Sequence, residues 1–140
     1  MAVTLNEVRD VLAQPVIARL GTIGADGFPH ITPLWFLFEG DDLVIMADRT
    51  ARKAQNLIAN PRGAVQIGGD PLSDGQDGYT PGVMLQGDFT VEDDPDHAVT
   101  ARITRHYLHG AAAEHLLETW KDDDIVVLRL KIRKVIRVAG

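Results

Sequence analysis

Apolar positions along the chain change their period several times, and each change marks an element. Leu5, Val8, Val11 and Leu12 recur at helical spacing, with Thr4 ahead of them as an N-cap and Glu7 three residues later. This first helix ends before Pro15. Pro15–Ile23 then reads as a strand, closed by the turn Ala25-Asp26-Gly27. In Pro29–Glu39, His30, Thr32 and Leu34 alternate with Ile31, Pro33 and Trp35, and Phe36-Leu37-Phe38 continues the run as one strand. Gly40-Asp41-Asp42 is a second turn and Leu43–Ala47 a third strand. A helix follows, with Thr50 as its expected N-cap, Ala54, Leu57 and Ile58 on one face, and Asn60-Pro61 at its end.

The second half continues with a strand over Gly63–Gly68 and a loop over Gly69–Gly82, rich in Gly, Pro and Asp and without apolar period. Val83–Val91 is the next strand, and Gly87 in its middle predicts a bulge or a close approach. After the acidic turn Glu92–Asp96, a helix starts at Pro95 or Asp96 and runs through Tyr107, with Val99, Ile103 and Leu108 on one side. Gly110 breaks it, Ala111–Trp120 forms a further helix, and Ile125–Val138 is strand with a bend near Lys131–Arg133. The tight turns force antiparallel neighbours, and the order lacks the β-α-β alternation of a doubly wound sheet. The expected fold is mainly β with flanking helices (α+β): one domain over residues 1–140, a closed or nearly closed antiparallel barrel with helices packed outside.

Charge adds one anomaly. A helix start carries partial positive charge and favours acidic residues, yet Arg52 and Lys53 stand in the first turn of the helix after Thr50, with Arg49 just before. Each such cation costs roughly 0.3–1 kcal/mol there. A bound anion reverses that sign, because free backbone N–H groups, the dipole and the cations then converge on it. Two readings stand at this point: a phosphate site, or a solvated helix end whose cations face water. Arg49, Arg52, Lys53 and Arg62 stand out against a formal net charge of −6, a balance that argues against general nucleic-acid binding.

Other chemistries find less support. The 140 residues include no cysteine, which removes disulfides, thiolate metal sites and cysteine nucleophiles. Gly21, Gly24 and Gly27 have the wrong spacing for a dinucleotide fingerprint and read as turn glycines. His106, His109 and His115 complete no known ligand spacing, and the first two fit a helix C-terminus. Asp70, Asp74 and Asp77 do not follow a calcium-loop pattern, since Leu72 and Pro81 interrupt it. Ser73 lacks a nucleophile elbow. Trp35 and Trp120 read as packing residues. No leader or membrane-spanning run is apparent, so the default expectation is a cytoplasmic protein without membrane or nucleic-acid partners.

Thr50-Ala51-Arg52-Lys53-Ala54-Gln55-Asn56-Leu57, followed by Asn60-Pro61-Arg62, resembles the helix start of the pyridoxamine 5′-phosphate oxidase-like split-barrel flavoproteins. Leu20-Gly21-Thr22 with Asp26-Gly27-Phe28-Pro29-His30 is similar to that family's first hairpin, and Val83–Val91 with Gly87 to its late strand. The resemblance runs from about Val16 to Val138. It implies a six-to-seven-stranded antiparallel split β-barrel of FMN-binding type, and a homodimer with cofactors between the subunits. It also implies that Arg52 and Lys53 hold the cofactor phosphate, with Thr50 at the same helix start. The ring would lie along His30, Thr32, Pro33, Leu34 and Trp35 and along Ile45, Met46, Ala47 and Asp48, with His30, Thr32 and Tyr79 as candidates to line its face.

By the same resemblance the expected function is a flavin-dependent oxidoreductase, transferring hydride between bound FMN and a small organic substrate. The alternatives are a deazaflavin (coenzyme F-420)-dependent reductase and a flavin-binding carrier without turnover. The acidic chain favours FMN over a cofactor with a polyglutamate tail. No segment at the C-terminal end resembles the one with which the vitamin-making oxidases grip pyridoxal phosphate, which sets the chain apart from that activity. A barrel domain whose function is self-assembly is a third class of reading.

Overall fold

The computed structural model describes residues 3–72 and 77–138. Ser73 and Asp74, weighed above, lie outside the described residues. Seven strands form one antiparallel sheet: β1 (Ala18–Ile23), β2 (Pro29–Leu34), β3 (Leu37–Glu39), β4 (Asp42–Asp48), β5 (Arg62–Ile67), β6 (Gly82–Asp93) and β7 (Ile125–Val138). Their spatial order is β2-β1-β5-β6-β7-β4-β3. Among the described residues four α-helices flank the sheet: α1 (Leu5–Leu12), α2 (Arg52–Ala59), α3 (Ala98–Tyr107) and α4 (Ala111–Thr119). None of the described helices is long and apolar enough to cross a membrane.

The two edge strands are consecutive in the chain. β2 closes one end of the sheet and β3 the other, yet only Trp35 and Phe36 separate them. So short a link forces the sheet to curl until its edges meet at that corner, while among the described residues no ladder joins them. The result is a split barrel, open along one seam. Pro29–Glu39 is therefore two strands and not the single one expected. The change of period at Phe36-Leu37-Phe38 marks the break. Phe36 turns into the core, 1 % exposed. Its backbone N–H donates to the Tyr107 hydroxyl at 3.2 Å, and that hydroxyl donates to the Val16 carbonyl at 2.7 Å.

Burial follows from this curl. β1 alternates, with Ala18, Leu20 and Thr22 inside and Arg19, Gly21 and Ile23 outside. β4 and β7 lose the alternation: Leu43, Val44 and Ile45 are all buried, as are Ile125, Val126, Val127 and Leu128. Both strands are covered on two faces. Ile45 and Leu128 point to the barrel core, whereas Val44 and Val127 pack with Ile103 of α3 in a second cluster that Trp35, Met46 and Tyr107 border.

The bend expected near Lys131–Arg133 and the irregularity expected at Gly87 are one feature. Gln86 pairs with Lys134 and Gly87 with Ile132, so Arg133 is the extra residue of a β-bulge. A Cβ on Gly87 would lie 2.0 Å from the Lys131 carbonyl oxygen, which only glycine permits. The helix placed at Pro95 or Asp96 begins later. A short 3-10 turn, Pro95–His97, precedes α3, with Asp96 and His97 at φ 58° and 51°. The buried Asp94 carboxylate accepts Val99 N–H and Thr100 N–H, both at 2.9 Å, and thereby satisfies the start of α3.

Candidate functional site

The site is built where β4 runs into α2. Met46 and Ala47 end the strand's buried stretch, Asp48 is exposed, and a turn closed by Ala51 N–H donating to the Asp48 carbonyl at 3.0 Å leads into the helix. Ala51, not Thr50, is the N-cap, and no side chain caps the helix; Thr50 is exposed one residue earlier. The first turn holds no acidic residue. Its free N–H groups are thus left to water or to a ligand. The buried Asn56 amide donates to Thr22 Oγ1 at 3.0 Å and fixes α2 against β1.

The cations grouped in the sequence separate in space. Arg49 is held by Asp124 at 2.8 Å and by Asp93 at 2.5 Å, and these carboxylates push its guanidinium's pKa up. It serves the barrel, not an anion. Arg62 lies on β5, along a different groove. Arg52 is exposed and forms no ion pair among the described residues. Lys53 is half-buried. Desolvation lowers its ammonium pKa, with Asp48 opposing that shift.

Lys53 opens into a cavity of about 290 Å³, which it lines together with Leu34, Trp35, Met46, Leu116 and Trp120. Four of the residues predicted from the sequence, Leu34, Trp35, Met46 and Lys53, therefore meet around one slot. Trp35 is held in place by a parallel stack on Tyr107, with ring centroids 4.9 Å apart and planes at 8°. His30 and Thr32 sit further along β2, half-buried on its inner face, with Thr32 Oγ1 3.3 Å from His30 Nδ1. Pro33 faces outward and Ala47 is part of the barrel core. Tyr79 is exposed and bridged to Pro71, apart from the slot's lining. Trp120, read from the sequence as a packing residue, and Leu116, which the sequence did not single out, form the wall that sequence reasoning missed. The available signal was the count: the chain has two tryptophans and both line this slot.

A broader groove of about 600 Å³ crosses the outer face of β1, β5 and β6, floored by Gly21, Gly63, Ala64 and Gly87 and rimmed by Arg62, Arg133 and Lys134. It is larger because small residues leave the strand surface bare. Beside it stand Ile31 at 68 % exposure and Phe28 at 73 %.

A seven-stranded open split barrel, with an uncapped and cation-bearing helix start facing an aromatic slot, defines the class. The chain belongs to the pyridoxamine 5′-phosphate oxidase family, whose model matches residues 4–139. Among solved structures it is similar to an F-420 reductase, at 20% identity and TM-score 0.71, covering 91% of this chain and 94% of that one. It is similar to a conserved hypothetical protein of Mycobacterium tuberculosis, at 20% identity and TM-score 0.76, covering 98% and 85%. It is also similar to the heme storage protein of Vibrio cholerae, at 16% identity and TM-score 0.69, covering 95% and 93%. No curated protein matches it. At these identities the likeness shows the fold, and the differing names show that the fold alone does not fix the ligand.

Proposed function

We propose that the chain is a flavin-dependent oxidoreductase that binds FMN at the start of α2 and in the adjoining slot. The observation that carries this reading is the pairing of an uncapped helix start bearing Arg52 and Lys53 with a cavity lined by Leu34, Trp35 and Met46. These residues suit a group with an anionic end and a flat apolar body. Arg52 and the first N–H groups of α2 would take the phosphate from the solvent side, and Lys53 from within the slot. Leu34, Trp35 and Met46 would exclude water from the ring. β2 is an edge strand, so its free backbone groups can meet the ring's polar edge; Pro29 and Pro33, lacking N–H, fit an edge for the same reason. When bound, the flavin supplies hydride transfer, which accounts for the lack of an evident acid–base pair.

A cavity of about 290 Å³ is at the small end for a ligand site. A second copy of the chain would complete it. Separately, the exposed Ile31, Phe28 and Ile23, beside the broader groove, support a homodimer contact through that outer face. The second cofactor reading, a deazaflavin, is supported by the likeness to an F-420 reductase.

The test is a titration of the purified protein with FMN, with coenzyme F-420 and with hemin, followed by absorption, and then turnover with reducible dyes and quinones. Saturable FMN binding with turnover is expected. Binding without turnover makes the protein a carrier. Preference for F-420 selects the deazaflavin, and a Soret band with hemin but no flavin binding overturns the proposal.

A further inference from the structure

α4 is set apart from the barrel. It packs on α3, where Glu114 accepts two hydrogen bonds from Arg105, at 3.0 and 3.1 Å, and most of its surface is exposed. Only Ala113 of this helix is buried. Yet its last turn reaches across to the site: Leu116 and Trp120 line the same cavity as Trp35 and Lys53. A half-buried indole at the end of a lightly packed helix, over a cavity with a second indole in its wall, is poorly explained as core packing. The slot's one charged lining group is Lys53, and its other walls are aliphatic, aromatic or thioether. Such a lining selects a planar ring through its faces and an anion through one ammonium.

We infer that α4 supplies the outer wall of the slot and that Trp120 is a specificity-determining residue, selecting a planar aromatic ring that carries an anionic group at Lys53. This deepens the proposed function, since it rests on the same slot, but it names a recognition chemistry that holds for any aromatic anion. Arg105–Glu114 anchors the wall to α3. Leu116 lines the same cavity as the indole.

Having two tryptophans, both at this site, allows a direct test. Protein labelled with 5-fluorotryptophan should give two fluorine resonances, assigned with Trp35→Phe and Trp120→Phe. Ring currents from an aromatic occupant should move both lines on saturation with FMN or with 1-naphthyl phosphate, and inorganic phosphate should move neither comparably. Trp120→Ala should weaken either aromatic ligand about ten-fold, and Trp120→Phe should restore most of that loss. If FMN binds by absorption while the Trp120 line stays in place, the flavin proposal stands and this inference is overturned. If 1-naphthyl phosphate moves both lines and no flavin binds, this inference stands and the flavin proposal falls. If neither ligand moves the Trp120 line, the inference is overturned.

Discussion

Tyr107→Phe removes one oxygen atom from the corner at which the barrel's two edges meet. The hydroxyl accepts Phe36 N–H and donates to the Val16 carbonyl, so it links α3, the approach to β1 and the break between β2 and β3. Phe36 is 1 % exposed, so its N–H has no route to water once the hydroxyl is gone. An orphaned buried donor costs about 1–3 kcal/mol. The Val16 carbonyl belongs to an exposed residue and can turn to solvent, so the second bond adds only about 0.5–1 kcal/mol. The expected loss is about 1.5–4 kcal/mol, which at a urea slope near 1–3 kcal/mol per molar lowers the unfolding midpoint by roughly 0.5–4 M. The phenyl ring keeps its place against Trp35, so native tryptophan emission should stay unchanged. A midpoint shift under about 0.3 M would refute the view that the hydroxyl pins the corner. The pH dependence supplies a second check. Burial raises the Tyr107 pKa, with the Phe36 N–H bond acting the other way. The stabilisation is therefore complete below the ordinary phenol range and lost as pH rises from there through the raised folded value. Tyr107→Phe should remove that alkaline decline.

Further expected outcomes concern the site and the bulge. Arg52→Ala with Lys53→Ala should weaken FMN by about 1.5–3 kcal/mol per lost charged hydrogen bond, measured by equilibrium titration, whereas riboflavin affinity changes little. Arg49→Ala should lower stability, because Asp93 and Asp124 lose their partner, while the phosphate-dependent part of flavin binding stays intact. Lys53 has a lowered pKa through desolvation, so the unliganded protein should gain stability as pH rises from that lowered folded value to the ordinary lysine range, and phosphate-dependent affinity should fall as pH rises through the bound-state value. Gly87→Ala places a Cβ 2.0 Å from the Lys131 carbonyl oxygen and should destabilise by about 1–3 kcal/mol in urea unfolding, with cofactor binding retained in the folded fraction.

Local patterns carried most of the strand and helix assignments, and where they failed the cause was distant. β1 reads correctly because one face is core and the other is not. The run from Pro29 to Glu39 looks continuous because β propensity persists through Trp35 and Phe36. The break puts its halves on opposite edges of the sheet, and there Phe36 N–H donates to a hydroxyl 71 residues away, at Tyr107. The start of α3 moves for a similar reason: Pro95 favours a helical first turn, but Asp94 folds under and spends its carboxylate on Val99 and Thr100 N–H. Gly87 was legible because only a glycine in mid-strand hints at a backbone passing close by, and the bend near Lys131–Arg133 is the other side of that contact.

The site shows the same division between what a local argument reaches and what folding decides. Counting charges at a helix start singles out Arg49, Arg52 and Lys53 together. Their fates differ because their neighbours do. Arg49 meets carboxylates 44 and 75 residues along the chain and is neutralised as structure. Arg52, one residue into the helix, stays in solvent without a carboxylate partner among the described residues. Lys53, a step of about 100° further round the helix, turns into the slot and loses hydration there. The unfavourable charge at the start of α2 is thus not uniform. One cation faces water, where an arriving anion is met first. The next sits behind it beside two indoles, where an anion is worth most because water is scarce. That gradient from solvent to slot is what the proposed function would use, and it arises only once α4 has carried Leu116 and Trp120 to the other side.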